Sequence, residues 1–355
     1  MTSPDRTGTV LVTGAAGFIG SHTCVDLLAA GHRVIGVDNF VNSSPRALDR
    51  LRKVADRDLE FVRLDVRDRA ALGEVFRRQP IDAVIHFAAL KAVGESVDTP
   101  LEYYDTNVNA TLGLVRVMAE HGVHRLVFSS SCSIYGTVDT VPITEDTPAR
   151  PTNPYSRTKW MCEQILADVC ARDPAWQVIS LRYFNPTGAH ESGLLGEDPH
   201  GVPNNVMPYL AQVAVGRRAE LSIFGDDYPT PDGTGVRDYI HVVDLAEGHR
   251  LALDHLADRS GHRVINLGTG AGTSVRELHA AFSVACGRDL PCRVVARRPG
   301  DVAALVADAT LAREALGWTA RRSVADMCRD AWQFQRLNPR GYDDEEEPDE
   351  HVGQS

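Results

Sequence analysis

The 355-residue chain contains no run of about 18 or more apolar residues, which excludes a membrane-spanning helix. Its seven cysteines, at 24, 132, 162, 170, 286, 292 and 328, form no CxxC pair, and its 13 histidines include no HExxH. Neither a metal site nor a disulfide framework is therefore expected, and the thiols fit a reducing cytoplasm. The opening MTSPDRTGTVLVTG lacks a cationic stretch followed by a long apolar core, so no signal peptide is expected. No internal repeat or low-complexity linker is visible. The formal net charge of −11 argues against general nucleic-acid binding.

What is present is the make-up of a globular protein, 43% hydrophobic and 24% charged, with 29 glycines and 19 prolines. Seven carboxylates crowd into YDDEEEPDEH (342–351), a block that repels itself and lacks apolar anchors. Residues 339–355 accordingly read as a disordered acidic tail. Ahead of it, short apolar runs alternate with helical patterns: TVLVTG (9–14), HRVIGVD (32–38), LEFVRLD (59–65), AVIHFAA (83–89), RLVFSSS (125–131) and QVISLRYFN (177–185). Intervening helices are expected up to Ala30, near 69–79, over 100–121, and from an Asn153 cap with Pro154 in the first turn to about Cys170. Continuous apolar strands separated by helices predict an α/β fold with a parallel sheet covered on both faces. The second half is more irregular, with Gly- and Pro-rich loops, the strands LSIF, DYIHV, RVINLG and CRVVA, and helices near 204–215, 243–256, 274–286 and 323–337.

The first strand runs into GAAGFIG, which places Gly14, Gly17 and Gly20 at three-residue spacing in a strand-to-helix turn. A turn without side chains lets backbone N–H groups approach a pyrophosphate at the helix N-terminus. The second strand ends in Asp38, whose carboxylate would bind adenosine ribose hydroxyls and repel a 2′-phosphate, so NAD is favoured over NADP. Asp65, Phe87, Ala88 and Ala89 close later strands and could line the adenine and ribose pocket. His86, inside AVIHFAA, reads as a hydrogen-bonded buried histidine rather than a catalyst.

In NPYSRTK (153–159), Tyr155 and Lys159 are four residues apart and so share a helix face. A nearby cation favours the phenolate, and a nicotinamide ring would add a second positive charge. Together they would bring the phenol toward neutral pH, where it is useful as a base. YxxxK is weak evidence alone, but SSSCSIYG (129–136) ends the fifth strand and offers Ser131 as a hydroxyl to relay a proton to Tyr155.

With these segments, TGAAGFIG, FAALKAVGESV, PLEYYDTNV, SSSCSIYG, NPYSRTK, LRYFNPTGAHESG, NNVMPY, FGDDYPTPDGTGVRDYIHVVDLA and RRPGD, the chain resembles the UDP-glucose 4-epimerases, extended short-chain dehydrogenases/reductases, from about residue 9 to 338. The resemblance implies a Rossmann-type doubly wound parallel sheet with a smaller, mixed α/β C-terminal substrate domain. It places NAD on residues 1–185, with part of 237–270 returning there, and a UDP-sugar on 186–338. It implies interconversion of UDP-galactose and UDP-glucose through a 4-keto intermediate on tightly held NAD+. Tyr155 would be base and acid, Ser131 the relay, and Lys159 the nicotinamide-ribose contact. To the cofactor set it adds Phe18, Ile19, Asn39, Asn42, Ser43, Val66, Lys91 and Tyr183. To the substrate it assigns Lys91, Phe184, Asn185, Asn205, Val206, Ser222, Ile223, Phe224, Arg237, Arg298, Asp301 and Leu305.

Two departures stand out. Pro299 occupies a position where the family often has Glu. Leu305 stands where some members have a bulky tyrosine and others a small residue. An intermediate side chain there implies UDP-glucose and UDP-galactose as main substrates, with side activity on UDP-N-acetylhexosamines. A 4,6-dehydratase or decarboxylase on the same fold would need acidic residues where Cys132 and Ser133 stand. A non-catalytic NAD-sensing protein would be expected to have lost Tyr155 or Lys159. The resemblance also implies a homodimer through the helices near 100–121 and 154–170.

Overall fold

The computed structural model describes residues 7–138, 140–256, 259–298 and 301–344. Thirteen strands occur among them: β1 Thr9–Thr13, β2 Arg33–Asp38, β3 Glu60–Arg63, β4 Ala83–His86, β5 Arg125–Ser129, β6 Gln177–Tyr183, β7 Asn185–Thr187, β8 Leu221–Phe224, β9 Val236–His241, β10 Gly261–Leu267, β11 Gly272–Ser274, β12 Cys292–Val295 and β13 Ala304–Leu305. Seven form one sheet in the order β10-β6-β5-β4-β1-β2-β3, and every pair in it is parallel. The chain winds outward from β1 through β2 to β3, then returns to β4 on the other side of β1. That reversal opens a crevice beyond the carboxyl ends of β1 and β4, where Thr13 faces His86 across the ladder.

Both sheet faces are buried, because alternate residues of each strand feed opposite cores. Val10 and Val12 of β1 pack with Leu27 and Leu28 of the helix Phe18–Ala29, with Leu245 and Leu253 of the helix Val242–Leu256, and with Trp318. Leu11 points the other way, into Leu72, Leu114 and Leu166 from the helices Arg69–Arg78, Ala110–Glu120 and Pro154–Arg172. The edge strand β10 and the helix before it come from the second half of the chain, so that half is tied into the first core.

A second, smaller core gathers Met207, Leu210, Leu221, Ile223, Phe282 and Met327 around β8 and β12. Between the two cores lies a small mixed sheet. β9 pairs in parallel with β7 and β13, and antiparallel with β11. It therefore brings Asn185, Arg237 and Leu305 to neighbouring positions.

Three local findings differ from the sequence reading. The polar stretch after β2 contains the helix Arg46–Ala55, of which only Ala47, Leu48, Arg50 and Leu51 are buried. The helix expected over 100–121 is broken into Pro100–Tyr103, a π-helical turn Tyr104–Asn109, and Ala110–Glu120. The wider turn points Asn107 inward, where its amide bonds Leu90 N–H at 2.8 Å, Leu90 C=O at 3.0 Å and Thr158 at 3.0 Å. Third, the first residues of the tail expected to be disordered from 339 are ordered. Gly341–Asp344 form a 3-10 turn, with the buried Tyr342 ring against Phe334 and beneath Arg50. The rest of the acidic run lies outside the described residues, as does Pro299.

Candidate active site

The glycine turn after β1 is a steric requirement. Gly14 has φ +70°, and a Cβ there would stand 2.9 Å from the backbone N of Ala88. A Cβ on Gly20 would lie 2.0 Å from the Gly14 carbonyl oxygen, so the helix starts as close to the turn as backbone allows. Gly17 is its N-cap and supplies no side-chain cap, which leaves the first-turn amides of Phe18 and Ile19 to an external anion.

Asp38 closes β2 and is buried. One carboxylate oxygen accepts from Ala16 N–H at 3.0 Å, the other from Phe40 N–H and the Ser43 hydroxyl, both at 2.9 Å. The carboxylate is thereby fixed beside the glycine turn, with Asn42 exposed on the same loop. Asn39 reaches across to Asp65 at 3.1 Å, and the Arg67 guanidinium holds the Asp65 carboxyl down at about 2. Val66 is buried behind it. This set suits an adenosine with free ribose hydroxyls, and nothing in it offers a cation to a 2′-phosphate except Arg67, already engaged by Asp65 and Asp105.

Phe87, Ala88 and Ala89 continue β4 past the crevice, with Ala88 N–H donating to Thr13 at 3.2 Å. His86 sits between Thr13 and Thr111, at 2.7 and 3.2 Å, and burial lowers its pKa to about 3. A neutral, doubly hydrogen-bonded imidazole is a structural residue, as its sequence context suggested.

Ser131, Tyr155 and Lys159 come together at the ends of β5 and the helix Pro154–Arg172. That helix starts from a capping box in which Asn153 accepts from Ser156 N–H at 2.9 Å, which fixes Tyr155 in the first turn. Lys159 is buried, donates to the Ser129 carbonyl at 2.7 Å and lies over the Phe128 ring. Burial lowers its pKa to about 8. Ser131 donates to the Ser133 hydroxyl at 2.9 Å.

The electrostatics of Tyr155 differ from the sequence expectation. Burial, reinforced by Tyr183, pushes its pKa well above the usual phenol range, and hydrogen bonding with Ser131 offsets this only in part. Lys159 is not among its principal perturbers. A near-neutral phenol therefore does not follow from the protein's own groups. Tyr183 shares a 2.8 Å hydrogen bond with Ser129 and is itself raised to about 12 by burial.

Most of the residues assigned to the substrate fall on the facing wall, whereas Lys91 lies on the loop after β4. Arg237 on β9 donates to the carbonyls of Val236 and Val302, and its guanidinium is 3.9 Å from Asp301. Arg298 bonds Asp301 at 2.9 Å and stacks over Phe224, so Arg237, Arg298, Asp301 and Phe224 form one cluster. Ser222 and Ile223 precede Phe224 on β8, with Ile223 buried. Leu305 pairs in register with Arg237 and packs against the group containing Cys132 and Phe184. Asn185 lies across from Tyr239. Its side-chain oxygen is buried with no hydrogen-bond partner, a cost of about 1–3 kcal/mol that a bound donor would remove. Asn205 and Val206 begin the helix Val206–Ala214, and Asn205 shares the Glu197 carboxylate with Lys91.

Sequence reasoning missed Glu197 and Asp238. The buried Asp238 carboxylate accepts from Thr269 N–H and hydroxyl, Gly270 N–H and Ala307 N–H, tying β9 to the segment that carries Leu305. Glu197 lies in none of the quoted segments, and Asp238 stands next to Arg237 in GVRDYIH, but only long-range pairing reveals what either one holds.

Comparison with known proteins agrees with this geometry. Residues 10–268 match the model of the NAD dependent epimerase/dehydratase family. The UDP-glucose 4-epimerase of Bacillus subtilis is 54% identical over 333 residues, 94% of this chain and 98% of that one. The crystal structure of UDP-glucose 4-epimerase from Bifidobacterium longum, in complex with NAD+ and UDP, is 54% identical, with a TM-score of 0.91 over 94% of this chain and 99% of that one. That of the Stenotrophomonas maltophila enzyme, with bound NAD and formylated UDP-arabinopyranose, is 50% identical, with a TM-score of 0.92 over 94% and 99%.

Proposed function

The chain belongs to the NAD dependent epimerase/dehydratase family, and from that premise we propose that it interconverts UDP-galactose and UDP-glucose with a resident NAD+. The observation that carries the reading is the meeting of Tyr155, Ser131 and Lys159 at the sheet's crevice, opposite a wall holding Arg237, Arg298 and the unpartnered Asn185 oxygen. Residues 1–185, joined by part of 237–270, hold the dinucleotide, and residues 186–338 hold the UDP-sugar.

When bound, NAD+ supplies a hydride acceptor and donor for the sugar C4 and a positively charged ring. The protein's residues handle the proton and the geometry. Ser131 takes up the O4–H proton and passes it to Tyr155, and Lys159 holds the nicotinamide ribose. Because Tyr155 is held protonated by burial, its activation needs positive charge close by, with each pKa unit worth about 1.4 kcal/mol. Lys159 is not among the principal influences on Tyr155, so the nicotinamide ring would have to supply most of that charge. Arg237 and Arg298 anchor the diphosphate, and Asp301 meets the uridine ribose. The hexose can then turn about its diphosphate link and present its other face. A dehydratase reading is disfavoured because burial pushes the Cys132 thiol up to about 12, which leaves no proton donor of carboxylate strength beside Ser131.

A second copy is proposed to pack on the exposed side chains Val93, Val97, Leu101 and Met161, which surround the helices Pro100–Tyr103 and Pro154–Arg172. Exposed apolar side chains gathered at neighbouring helices suit a homodimer. Among the described residues no helix is long and apolar enough to cross a membrane.

The deciding experiment incubates purified protein with UDP-galactose and no added NAD. UDP-glucose is expected to form, and Tyr155→Phe is expected to slow it by about 10²–10⁴-fold. Absence of product from the wild-type holoenzyme, or an unimpaired Tyr155→Phe, would overturn the reading.

A further inference from the structure

Glu197 joins the two walls of the cleft. Its side chain is 8% exposed, and one oxygen accepts from the Lys91 ammonium and the Asn205 amide, each at 3.0 Å. Lys91 comes from the loop after β4, which Asn107 clamps at Leu90. Asn205 comes from the opposite wall, at the N-cap of Val206–Ala214. An asparagine there ordinarily caps its own helix, yet this one makes no capping bond. Pro208 removes one of the usual donors, and the amide is turned toward Glu197 instead.

The loop bearing Glu197 is itself held from behind. Gly196 exchanges hydrogen bonds with the Tyr342 hydroxyl, N–H donating at 3.2 Å and C=O accepting at 3.1 Å. The backbone N–H of Tyr342 donates to Asp198 at 2.8 Å, and its carbonyl accepts from Arg46 at 2.8 Å. A Cβ on Gly196 would fall 2.3 Å from the Phe334 ring, so this loop has no slack. The end of the described chain thus clasps the Glu197 loop to the helix that follows the Asp38 loop.

We propose that Glu197 is a positioning residue which aligns Lys91 and Asn205 across the cleft, backed by the Tyr342 clasp, and that UDP-sugar affinity depends on it. The proposal rests on the UDP-sugar reading above. A competing effect has the opposite sign. Removing a carboxylate near a dianionic ligand would tighten binding by relieving repulsion. The Lys91 ammonium, 3.0 Å away, already offsets the carboxylate's charge, so that relief is small, whereas two oriented donors on one nearly buried acceptor are lost together.

The test titrates UDP into the NAD-loaded protein and measures kinetics with UDP-galactose. Glu197→Ala is expected to weaken UDP binding and raise KM about tenfold, with kcat changed less than about threefold. Glu197→Gln keeps an acceptor for both donors and is expected to recover most of the loss. Tyr342→Phe removes only the clasp hydroxyl and is expected to cost about threefold, which provides a readout should the alanine variant fold poorly. UDP binding unchanged or tighter in Glu197→Ala, or a fall in kcat at constant KM, would overturn the proposal. Wild-type protein that does not bind UDP would instead overturn the substrate reading.

Discussion

The two walls of the cleft are built by different means. On the side proposed for the dinucleotide the site is mostly backbone: a glycine turn, the ends of parallel strands and the first turn of a helix, all placed by one sheet, with the Asp38 carboxylate beside them. On the facing side it is made of side chains, Asn185, Arg237, Arg298 and Leu305, spread along the chain from 185 to 305, three of them brought together by the pairing of β7, β9 and β13. A backbone site tolerates little change, because its tolerance is set by atoms that cannot rotate away. A side-chain site is graded, since each contact can be weakened separately.

The sharpest way to break that comparison is at Gly20. Gly20→Ala would put a methyl 2.0 Å from a carbonyl oxygen of the same turn, and backbone must move by more than an ångström to admit it. Overpacking of this kind costs about 1–3 kcal/mol, and here it opens the pyrophosphate cradle itself. NAD retained through purification, read by absorbance after denaturing release, is expected to fall about tenfold or more. Asn185→Ala should leave bound NAD at the wild-type level and weaken UDP about three- to tenfold. Full NAD retention in Gly20→Ala would show that the turn has side-chain-like slack.

Legibility followed the same division. The turn at 14–20, Asp38 at the end of β2 and the Asn153 helix cap are short-range patterns, and each is where the sequence reading puts it. Tyr342 was hidden by the acidic residues after it, since composition weighs a window and a single buried ring is lost in it. Glu197 was hidden because its partners lie 106 and 8 residues away, in Lys91 and Asn205. The helix Arg46–Ala55 was read as part of a polar segment because half of its residues are charged and its buried stripe is only four residues wide. The elevated Tyr155 pKa was also illegible: helix spacing reports that Lys159 shares a face, but not how much water burial removes.

Acid should separate the regions next. His22, His86 and His249 are buried, and burial lowers them to about 3, 3 and 4 from the ordinary 6.5. His86 lies in the central sheet, His249 packs against it with its ring 4.6 Å from that of Phe87, and His22 lies on the helix Phe18–Ala29 beside Phe18 and His190. Their folded pKa values lie below the unfolded one, so between about pH 6.5 and 4 the unfolded chain binds more protons. Stability is therefore lost as pH falls through that window, by about 4 kcal/mol per pH unit if all three contribute. Urea unfolding at pH 7, 6 and 5 measures the slope. A value below about 1.4 kcal/mol per unit would mean that fewer than one of them is buried neutral.

The smallest effect expected is also the most selective. Leu305 stands beside Arg237 in the register of β13 with β9 and packs against the group holding Cys132 and Phe184, on the side of the cleft next to Ser131. A tyrosine there cannot go deeper, because that group is fully packed, so its extra length must project toward the hexose. With the diphosphate held by Arg237 and Arg298 as proposed, the added ring would crowd whichever sugar substituent is bulkiest. An N-acetyl group at C2 would suffer more than a hydroxyl. Leu305→Tyr is thus expected to lower kcat/KM for UDP-N-acetylglucosamine about tenfold relative to UDP-galactose, and Leu305→Ala to raise that ratio, with NAD content unchanged in both. If both substrates respond alike, the side chain is a structural filler of β13 and selectivity resides elsewhere on the side-chain wall. If NAD content falls as well, the two walls are coupled through Cys132 and Phe184, and the division between a rigid backbone site and a tunable side-chain site is too sharp.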